Sequence, residues 1–302
     1  MKKTFLKIVK NPMNIFLSLG HRGYFNWIGD ELFLKIAFLI RMGKILNLKN
    51  PRTFSEKLQW LKLFDHNPEY TQMVDKCEAK KYVSAIIGEN YIIPTLGVWD
   101  NADEIEFEKL PNQFVIKCTH DSGGLILCKD KSTLNFDKAK KKLNKCLKNN
   151  YYWGNREWPY KNIRPRIIAE KYMSEGDDED LKDYKFFCFN GDPKYCQVIS
   201  DRERKMSIDF FDGMWNHLDF HEPRNFPFSE KSIKCPANFD EMKRLAKVLS
   251  KDMPFIRVDF YEINGKVYFG ELTFFPTSGM GGFKPEKWDY IFGSMIKLPL
   301  HS

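Results

Sequence analysis

Short apolar runs separated by turn residues fill much of the chain beyond residue 110, and such runs predict β-strands. They lie at residues 114–118, 125–128, 167–173, 184–190, 194–199, 255–263 and 266–272. Tight turns join most of them in pairs, and Asn264-Gly265 is a dipeptide typical of two-residue hairpins. Because tight turns rather than helical crossovers connect these strands, we expect mainly antiparallel sheets.

Helical periodicity marks four segments of the chain. They are the segment that begins at Thr53 and residues 75–87, 137–148 and 239–249. In the first, Thr53 and Glu56 have the spacing of a capping box, and in the second Gly88 is expected to end the helix. Residues 91–93 predict a short strand that Pro94 stops. The whole pattern predicts a mixed α/β fold of the α+β kind.

The first 50 residues form a basic, apolar arm. They contain nine Lys or Arg and two Asp or Glu, so this segment holds +7 of the chain's net charge of +8. Its most apolar part, residues 32–48, is too short and too charged to span a bilayer. The apolar side chains of this part lie nearly all round a helix. We therefore expect residues 1–48 either to pack against the body or to lie in the interface of an anionic membrane.

Composition excludes several classes of protein. The chain has 302 residues, of which 43% are hydrophobic and 15% aromatic, and this composition excludes disorder. Its seven cysteines include no C-x-x-C pair, which argues against a disulfide framework or a zinc ribbon. Because residues 51–302 are almost neutral, we expect no nucleic acid as a partner. The N-terminus lacks an uninterrupted apolar signal, so we expect a cytoplasmic protein, with peripheral attachment to the plasma membrane left open.

The sharpest chemical feature is the hairpin predicted at 255–272. Asp259 and Glu271 fall on its two strands within apolar surroundings, where two carboxylates need a compensating hard divalent cation. Arg257 lies two residues before Asp259 and so shares its face of the strand, where it could bind a phosphate. The alternative is an ordinary Arg–Asp ion pair on a solvated face.

A second feature is Lys117, which ends an apolar run before the loop Ser122-Gly123-Gly124. A strand lysine beside exposed loop N–H groups suits a polyphosphate, although a lysine beside a plain hairpin turn gives the same pattern. His120 lies in this loop and could act on phosphate or hydrogen-bond within the turn. Glu170, where a strand exits into a loop, could accept a hydrogen bond from an exocyclic amine. No G-x-G-x-x-G, P-loop or G-x-S-x-G motif occurs.

Taken in order, these elements resemble the ATP-grasp superfamily from about residue 75 to residue 282. Asp75-Lys76 is similar to the family's entry segment, and residues 117–124 to its strand lysine and glycine loop. Residues 170–173 resemble the adenine hinge. Arg257-x-Asp259 and Glu271-x-Thr273 resemble the R-x-D and E-x-N magnesium motifs. The teichuronopeptide-biosynthesis (TupA-like) branch is the most similar, through residues 51–60, 110–117, 183–191 and 270–276.

The resemblance implies a role for each of these residues. ATP is expected to contact Lys76, Lys117, Ser122, Gly123, Gly124, Glu170, Lys171, Tyr172, Met173, Asp183 and Lys185. Catalysis is expected to involve Arg257, Lys185 and His120. Mg²⁺ is expected at Asp259, Glu271 and Thr273, although Thr273 stands where the family usually has asparagine. Substrate contacts are expected from Arg202, Arg204, Thr277, Ser278 and Gly279, and the two arginines would equally fit a solvated charged turn.

The implied fold has two α/β subdomains that clamp ATP between mainly antiparallel sheets. Its expected parts are a helical arm (1–50), an N-terminal portion (51–110), a small subdomain with the glycine loop (111–173) and a C-terminal subdomain with the magnesium site (174–302). The family's reaction joins a carboxylate to an amine through an acyl phosphate formed with ATP. The branch implies a uronic acid of a bacterial capsular or other surface polysaccharide, and an amino acid as the amine.

Two other functions stay open at this point. One is a glycosyltransferase of the same pathway, for which residues 177–180 are the only rough candidate for a D-x-D-like metal site. The other is a non-catalytic, membrane-associated scaffold whose ATP site is degenerate, with Thr273 as its first sign.

Overall fold

A computed structural model describes residues 13–121, 123–174, 176, 181–202, 204–222 and 226–299. Its α-helices are α1 (Met13–His21), α2 (Asp30–Met42), α3 (Phe54–Phe64), α4 (Glu69–Val74), α5 (Glu78–Ile87), α6 (Phe136–Leu147), α7 (Tyr152–Asn155), α8 (Phe239–Leu249) and α9 (Lys287–Met295). Its strands are β1 (Thr95–Trp99), β2 (Phe114–Cys118), β3 (Ile126–Cys128), β4 (Ile167–Lys171), β5 (Asp183–Phe189), β6 (Asp192–Ser200), β7 (Ser207–Asp212), β8 (His217–Leu218), β9 (Phe255–Ile263) and β10 (Lys266–Thr273). The expected mixed α/β fold with antiparallel sheets is confirmed.

The smaller sheet has the strand order β1-β4-β2-β3, with antiparallel pairs throughout. Ala139 and Leu143 of α6 are buried against one of its faces. Strand β2 alternates in burial, and its inward residues are Phe114, Ile116 and Cys118. Successive side chains of a strand point to opposite faces, so Val115 and Lys117 face away from this core.

The larger sheet has the strand order β10-β9-β5-β6-β7-β8 and is also antiparallel. All seven residues of its central strand β5 are buried. Phe186 contacts Phe239 of α8 at a ring-centroid distance of 5.7 Å, whereas Phe187 contacts Phe54 of α3 and Phe292 of α9 at 6.5 and 5.9 Å. Helices on both faces explain why residues 186–189 of β5 are apolar without alternation.

Helix α3 belongs to the portion predicted at 51–110 but packs with this larger sheet, and β1 of the same portion pairs with β4 in the smaller one. The predicted division into domains stays a prediction.

Two tight turns have the geometry that their sequences predict. Asn190 and Gly191 join β5 to β6 with φ angles of 48° and 79°, and Asn264 and Gly265 join β9 to β10 with φ angles of 51° and 72°. Positive φ at both central residues matches the right-handed twist of the flanking strands, and Asn and Gly tolerate it. The predicted β5–β6 and β9–β10 hairpins are confirmed.

The described part of the N-terminal arm packs against the body through one face of α2. Its buried residues are Phe33, Leu34, Ala37 and Phe38. They cluster with Met280, and beneath them lies Arg156, which is 1% exposed. Arg156 donates to the carbonyls of Phe25 and Ile28 at 2.8 and 3.2 Å. Among the described residues, no helix is both long and apolar enough to cross a membrane. Residues 1–12 of the arm lie outside the described residues.

Some elements differ from the expectation. The strand predicted at 91–93 is wrong, because a 3-10 turn covers Glu89–Tyr91 and β1 begins only after Pro94. Helix α5 begins at Glu78 rather than at residue 75, because Asp75 Oδ1 caps it by accepting the N–H groups of Cys77 and Glu78 at 2.8 and 3.0 Å. The sequence pattern did not predict β1, β7, β8, α4, α7 or α9.

Candidate active site

A cleft of about 600 Å³ lies between the two sheets. The smaller sheet contributes Lys117 and Glu170 to its lining, and the larger sheet contributes Phe269 and Glu271. Ten of the residues singled out from the sequence line this one space: Lys76, Lys117, Glu170, Lys171, Tyr172, Met173, Asp183, Arg202, Arg204 and Glu271. The volume is in the range of small-molecule and cofactor sites.

Glu170 is the central anion on the face of the smaller sheet that lines the cleft. Its side chain is 7% exposed, and its two carboxylate oxygens lie 2.6 Å from Nζ of Lys80 and 2.5 Å from Nζ of Lys117. Burial alone would raise the pKa of Glu170, but Lys117 and Lys80 hold it below its usual value. Glu170 is therefore ionised and holds two ammonium groups beside the cleft.

Lys76 lies between α4 and α5 and lines the same cleft. Its Nζ donates to the carbonyl of Asp121 at 2.5 Å and lies 4.0 Å from Oε1 of Glu271. Burial lowers the pKa of Lys76, and the charge of Glu271 partly offsets this shift. Lys76 thus joins the glycine loop to the hairpin that carries the predicted magnesium ligands.

The glycine loop folds back on itself. The N–H groups of Gly123 and Gly124 donate to Oδ1 of Asp121 at 3.2 and 3.1 Å, so the loop satisfies its own amides. Ser122, the third residue predicted to contact phosphate here, lies outside the described residues. His120 is 2% exposed and buried against α6, where its Nε2 lies 3.2 Å from the carbonyl of Cys146. The predicted catalytic role of His120 stays a prediction.

After β4 the chain runs along the cleft. The N–H of Lys171 donates to the carbonyl of Pro94 at 2.9 Å, which fixes the start of this segment. Tyr172 and Met173 then line the cleft. The apolar residues that face them from both sheets include Val115, Leu127 and Phe269. Apolar side chains on both sides of this segment form an apolar slot that suits a planar base.

A row of alternating charges crosses the larger sheet below the cleft. Arg202 forms an ion pair with Asp183, and Nζ of Lys185 lies 3.7 Å from the other oxygen of Asp183. Lys185 also forms an ion pair with Asp259, its partner in the β5–β9 register. Asp183 and Lys185 are 2% and 5% exposed. Asp183 therefore holds Arg202 at the cleft.

Arg257 binds Asp259 through two parallel hydrogen bonds. Nε donates to Oδ1 and Nη2 to Oδ2, both at 2.7 Å, and Nη2 also donates to Oγ1 of Thr273 at 3.1 Å. Burial would raise the pKa of Asp259, but Arg257 and Lys185 lower it. The Arg–Asp ion pair considered as an alternative exists, but it is buried, since Asp259 is 2% exposed.

Glu271 lies opposite Asp259 in the β9–β10 register, beside a bulge at Gly270. Each carboxylate oxygen offers two acceptor positions, so Oδ1 of Asp259 retains one beyond its bond to Arg257. This donor set fits Mg²⁺, which binds proteins through one or two carboxylates and completes its shell with water and phosphate oxygens. In the described part of the chain, no group of three or more His, Cys, Asp or Glu could hold a metal by itself.

The hydroxyl of Thr273 accepts from Arg257, and its role as a metal ligand stays a prediction.

The loop after β10 is strained and held from behind. Thr277, Ser278 and Gly279 have φ angles of 51°, 57° and 61°, and a left-handed backbone costs about 1–2 kcal/mol for each residue with a Cβ. Gln59 Nε2 donates to the carbonyls of Ser278 and Gly279 at 3.3 and 2.8 Å. Lys62 Nζ donates to the carbonyl of Ser278 at 2.8 Å. Helix α3 therefore fixes the predicted substrate loop.

Lys62 is itself 2% exposed. Its ammonium group also donates to Oε1 of Gln59 and to the carbonyl of Asn155, both at 3.0 Å. Burial lowers the pKa of Lys62 to about 7, although the charge of Glu157 acts in the opposite direction. A buried cation with three acceptors thus lies directly behind the loop.

Lys62 and Lys80 belong to the site but were not predicted from the sequence. Lys62 lies one turn after Leu58, on the apolar face of α3, and a lysine on such a face was a usable signal. Lys80 lies four residues after Lys76, a spacing that also could have drawn attention.

The structure separates the residues predicted to bind substrate. Arg202 is held by Asp183, Arg204 lines the cleft and also a second cavity, and residues 277–279 follow the end of β10. Residues 177–180, the candidate metal site of a glycosyltransferase, lie outside the described residues.

A family model described as TupA-like ATPgrasp matches residues 56–297. The chain belongs to this family. The resemblance read from the sequence motifs is thereby confirmed, and with it the ATP-grasp fold. No curated protein matches the TupA-like chain.

Solved structures with a similar fold include D-alanine–D-alanine ligases. The enzyme from Bacillus anthracis, complexed with ATP, is 16% identical, with 67% of this chain and 53% of that chain covered and a TM-score of 0.38. The enzyme from Helicobacter pylori is 15% identical, with 80% and 69% covered and a TM-score of 0.40. The ATP-grasp ligase PsnB with its minimal precursor is 10% identical, with 73% and 59% covered and a TM-score of 0.37. The TupA-like chain spans about half the length of the Bacillus anthracis ligase.

Proposed function

We propose that the TupA-like chain is an ATP-dependent ligase that joins a carboxylate to an amine. The observation that carries this proposal is that Lys76, Lys117 and Glu271 line the same cleft. Cations that share a cleft with the carboxylate of Glu271 suit a triphosphate bound together with a divalent cation. Membership of the TupA-like ATP-grasp family supports the same reaction class.

The residues divide into those that bind and those that position. Tyr172 and Met173 would contact adenine in the apolar slot, and Lys76 and Lys117 would neutralise phosphate oxygens. Lys185 is buried and paired with Asp259, so we assign it a positioning role rather than direct contact with phosphate. Mg²⁺ held by Asp259 and Glu271 would neutralise phosphate charge.

The chemistry needs no covalent protein nucleophile. A carboxylate oxygen of the acid substrate attacks the γ-phosphorus of ATP, the bond between this phosphorus and the β–γ bridging oxygen breaks, and ADP leaves. The amine nitrogen then attacks the acyl carbon, inorganic phosphate leaves with the electrons of the C–O bond, and the amine proton passes to water. Positioning and charge stabilisation dominate phosphoryl transfer, which matches the residues of the cleft.

The acid substrate is proposed to be a sugar acid of a bacterial surface polysaccharide, and the amine an amino acid. The resemblance to the TupA-like branch supports this pair of substrates. The strained loop at 277–279 follows the strand that carries Glu271 and Thr273, and we propose it as the element that contacts these substrates. Strain of this kind concentrates at functional sites.

The test is the stoichiometry of nucleotide hydrolysis. Purified protein with ATP and Mg²⁺ should release ADP and phosphate only when both a uronic acid and an amino acid are present. Glu271→Gln should abolish this release, whereas Glu106→Gln, at an exposed position outside the cleft, should leave it unchanged. Turnover of a UDP-sugar without ATP would contradict the proposal and favour a glycosyltransferase.

We also propose that the N-terminal helices attach the protein to the cytoplasmic face of an anionic membrane. Trp27 and Ile45 are 82% and 85% exposed, and Leu32 and Leu39 lie on the outer face of α2 with Lys35 between them. Exposed apolar side chains beside cations are typical of interfacial helices. Because the inner face of α2 packs against the body, point substitutions test this proposal better than deletion of residues 1–48.

A further inference from the structure

A second cavity lies beside β6 and β7, where these strands meet the segment 226–236. Its volume is about 810 Å³, larger than that of the cleft. Arg204 lines both cavities, whereas Lys76 and Lys117 belong to the cleft. The second cavity is therefore a neighbour of the proposed ATP site, and the mechanism above does not use it.

The lining of this cavity is strongly basic. It includes five cationic side chains and two anionic ones, although residues 51–302 as a whole are almost neutral. The cations are Lys182, Arg204, Lys205, Lys231 and Lys234. Lys205 forms an ion pair with Glu230, and both side chains are largely exposed. A concave surface with an excess of one charge attracts ligands of the opposite sign.

Two buried hydroxyl groups also line the cavity. Ser200 and Ser207 lie opposite each other in the β6–β7 register and are 4% and 3% exposed. Within the described part of the chain, neither Oγ has a hydrogen-bond partner. Because a buried hydroxyl without a partner costs about 1–3 kcal/mol, two of them side by side mark an unsatisfied polar position in the wall of this cavity.

The remaining wall is apolar and fixed in place. Pro227, Phe228 and Ile233 contribute to it. The Phe228 ring stacks on His221 at a centroid distance of 3.8 Å, and Trp215 Nε1 donates to the carbonyl of Ile233 at 3.1 Å. Cations, hydroxyls and apolar faces in one cavity match a ligand that is charged, rich in hydroxyls and apolar on its C–H faces.

We infer that this cavity is a binding site for an anionic saccharide, a sugar chain that carries carboxylate or phosphate groups. The inference rests on the proposed function, since it gives the sugar-acid substrate a place on the protein. Arg204 lies at the boundary of both cavities, so a chain in the second cavity extends past it towards the cleft.

Cys235 provides a direct readout of occupancy. It lines the cavity and is the exposed one of the seven cysteines, all of which lie in the described part of the chain. N-ethylmaleimide should therefore modify Cys235 first, as mass spectrometry can show. Oligogalacturonate, with carboxylates, and UDP-glucose, with phosphates, are the two anionic probes. Dextran is the neutral control, and polyaspartate is an anion without sugar.

Oligogalacturonate or UDP-glucose should slow the modification of Cys235 saturably, and whichever probe does so identifies the anionic group. Lys231→Ala with Lys234→Ala, and separately Ser200→Ala with Ser207→Ala, should weaken this protection about tenfold. The matched control is Lys138→Ala with Lys141→Ala on the exposed face of α6, which should change nothing.

Protection by neither anionic sugar, equal protection by polyaspartate, or equal weakening in the α6 control would overturn the inference. Because the readout needs no turnover, protection without any ligase activity would refute the proposed function alone.

Discussion

The substitutions Asp259→Asn and Glu271→Gln should affect the stability of the protein very differently. We expect the charge of Asp259 to stabilise the fold of the site and the charge of Glu271 to serve ligand binding only. Asp259 is 2% exposed, and its carboxylate lies between Arg257 and Lys185. The asparagine variant removes the negative charge and leaves both cations buried. Removal of one partner from a buried ion pair costs about 3–5 kcal/mol, so we expect the free energy of unfolding to fall by at least ~3 kcal/mol.

Glu271 has the same predicted ligand role but a different environment. Its side chain is 40% exposed, and its nearest ion-pair partner, Lys76, lies 4.0 Å away. Exposed ion pairs contribute about 0–1 kcal/mol, so Glu271→Gln should change the free energy of unfolding by less than ~1 kcal/mol. Both variants should lose Mg²⁺-dependent binding of ATP, because each removes one carboxylate from the donor set.

Urea unfolding followed by tryptophan fluorescence measures the first quantity, and calorimetric titration with ATP and Mg²⁺ measures the second. Glu106→Gln is the matched control, because Glu106 is exposed, ion-paired with Lys109 and outside the cleft. Equal losses of stability in both variants would refute the reasoning from burial. Normal Mg²⁺-dependent binding in Glu271→Gln would refute the assignment of the metal site.

Three other variants test other parts of the molecule. Glu170→Gln should lower the free energy of unfolding by about 2 kcal/mol near neutral pH, because Lys117 and Lys80 lose their partner. The pKa of Glu170 in the folded protein is lowered, so its carboxylate stabilises the fold above the unfolded pKa, and this stabilisation is lost as pH falls below about 4. Urea unfolding of both proteins at acid and neutral pH measures this loss. The same difference in stability between wild type and Glu170→Gln at both pH values would contradict the prediction. Lys62→Met should raise the KM for acid or amine while ATP affinity is unchanged, because Lys62 holds the left-handed loop and does not line the cleft. Steady-state kinetics with both substrates and titration with ATP measure these quantities, and an unchanged KM for acid and amine would contradict a substrate role of the loop. Trp27→Ser with Ile45→Ser should weaken binding to phosphatidylcholine–phosphatidylglycerol vesicles about fivefold at unchanged Tm, and binding equal to that of the exposed control Met214→Ser would reject the membrane proposal.

Local chemistry made the hairpins and several helices predictable. Asn264-Gly265 adopts the positive φ angles that a two-residue turn requires, and Thr53 with Glu56 forms the complete capping box. The strand predicted at 91–93 is wrong because an apolar run of three residues next to a proline is equally compatible with a 3-10 turn.

The residues of the cleft were predictable as a set, but their partners were not. Glu170 pairs with Lys80 across ninety positions of sequence, and Lys62 meets the loop at Ser278 from more than two hundred positions away. Such contacts depend on how the two sheets and α3 pack, and no local periodicity encodes that packing. The ion pair of Arg202 with Asp183 likewise depends on the antiparallel pairing of β5 with the end of β6.

The charge of the cleft leads to a last prediction, about metal dependence. Six cationic and four anionic side chains line the described cleft, so its excess is two positive charges. A triphosphate carries more negative charge than this, since its terminal group alone carries about −2 near neutral pH. A divalent cation between Glu271 and the phosphates would supply the missing charge.

We therefore expect chelation of Mg²⁺ by EDTA to weaken ATP binding at least about tenfold in calorimetric titrations. Glu271→Gln should reduce this metal effect, and added salt should weaken binding further because exposed charges are screened. ATP affinity that is the same with Mg²⁺ and with EDTA would mean that the lysines and arginines suffice. The two carboxylates of the hairpin would then have only the structural role that Asp259 already fulfils.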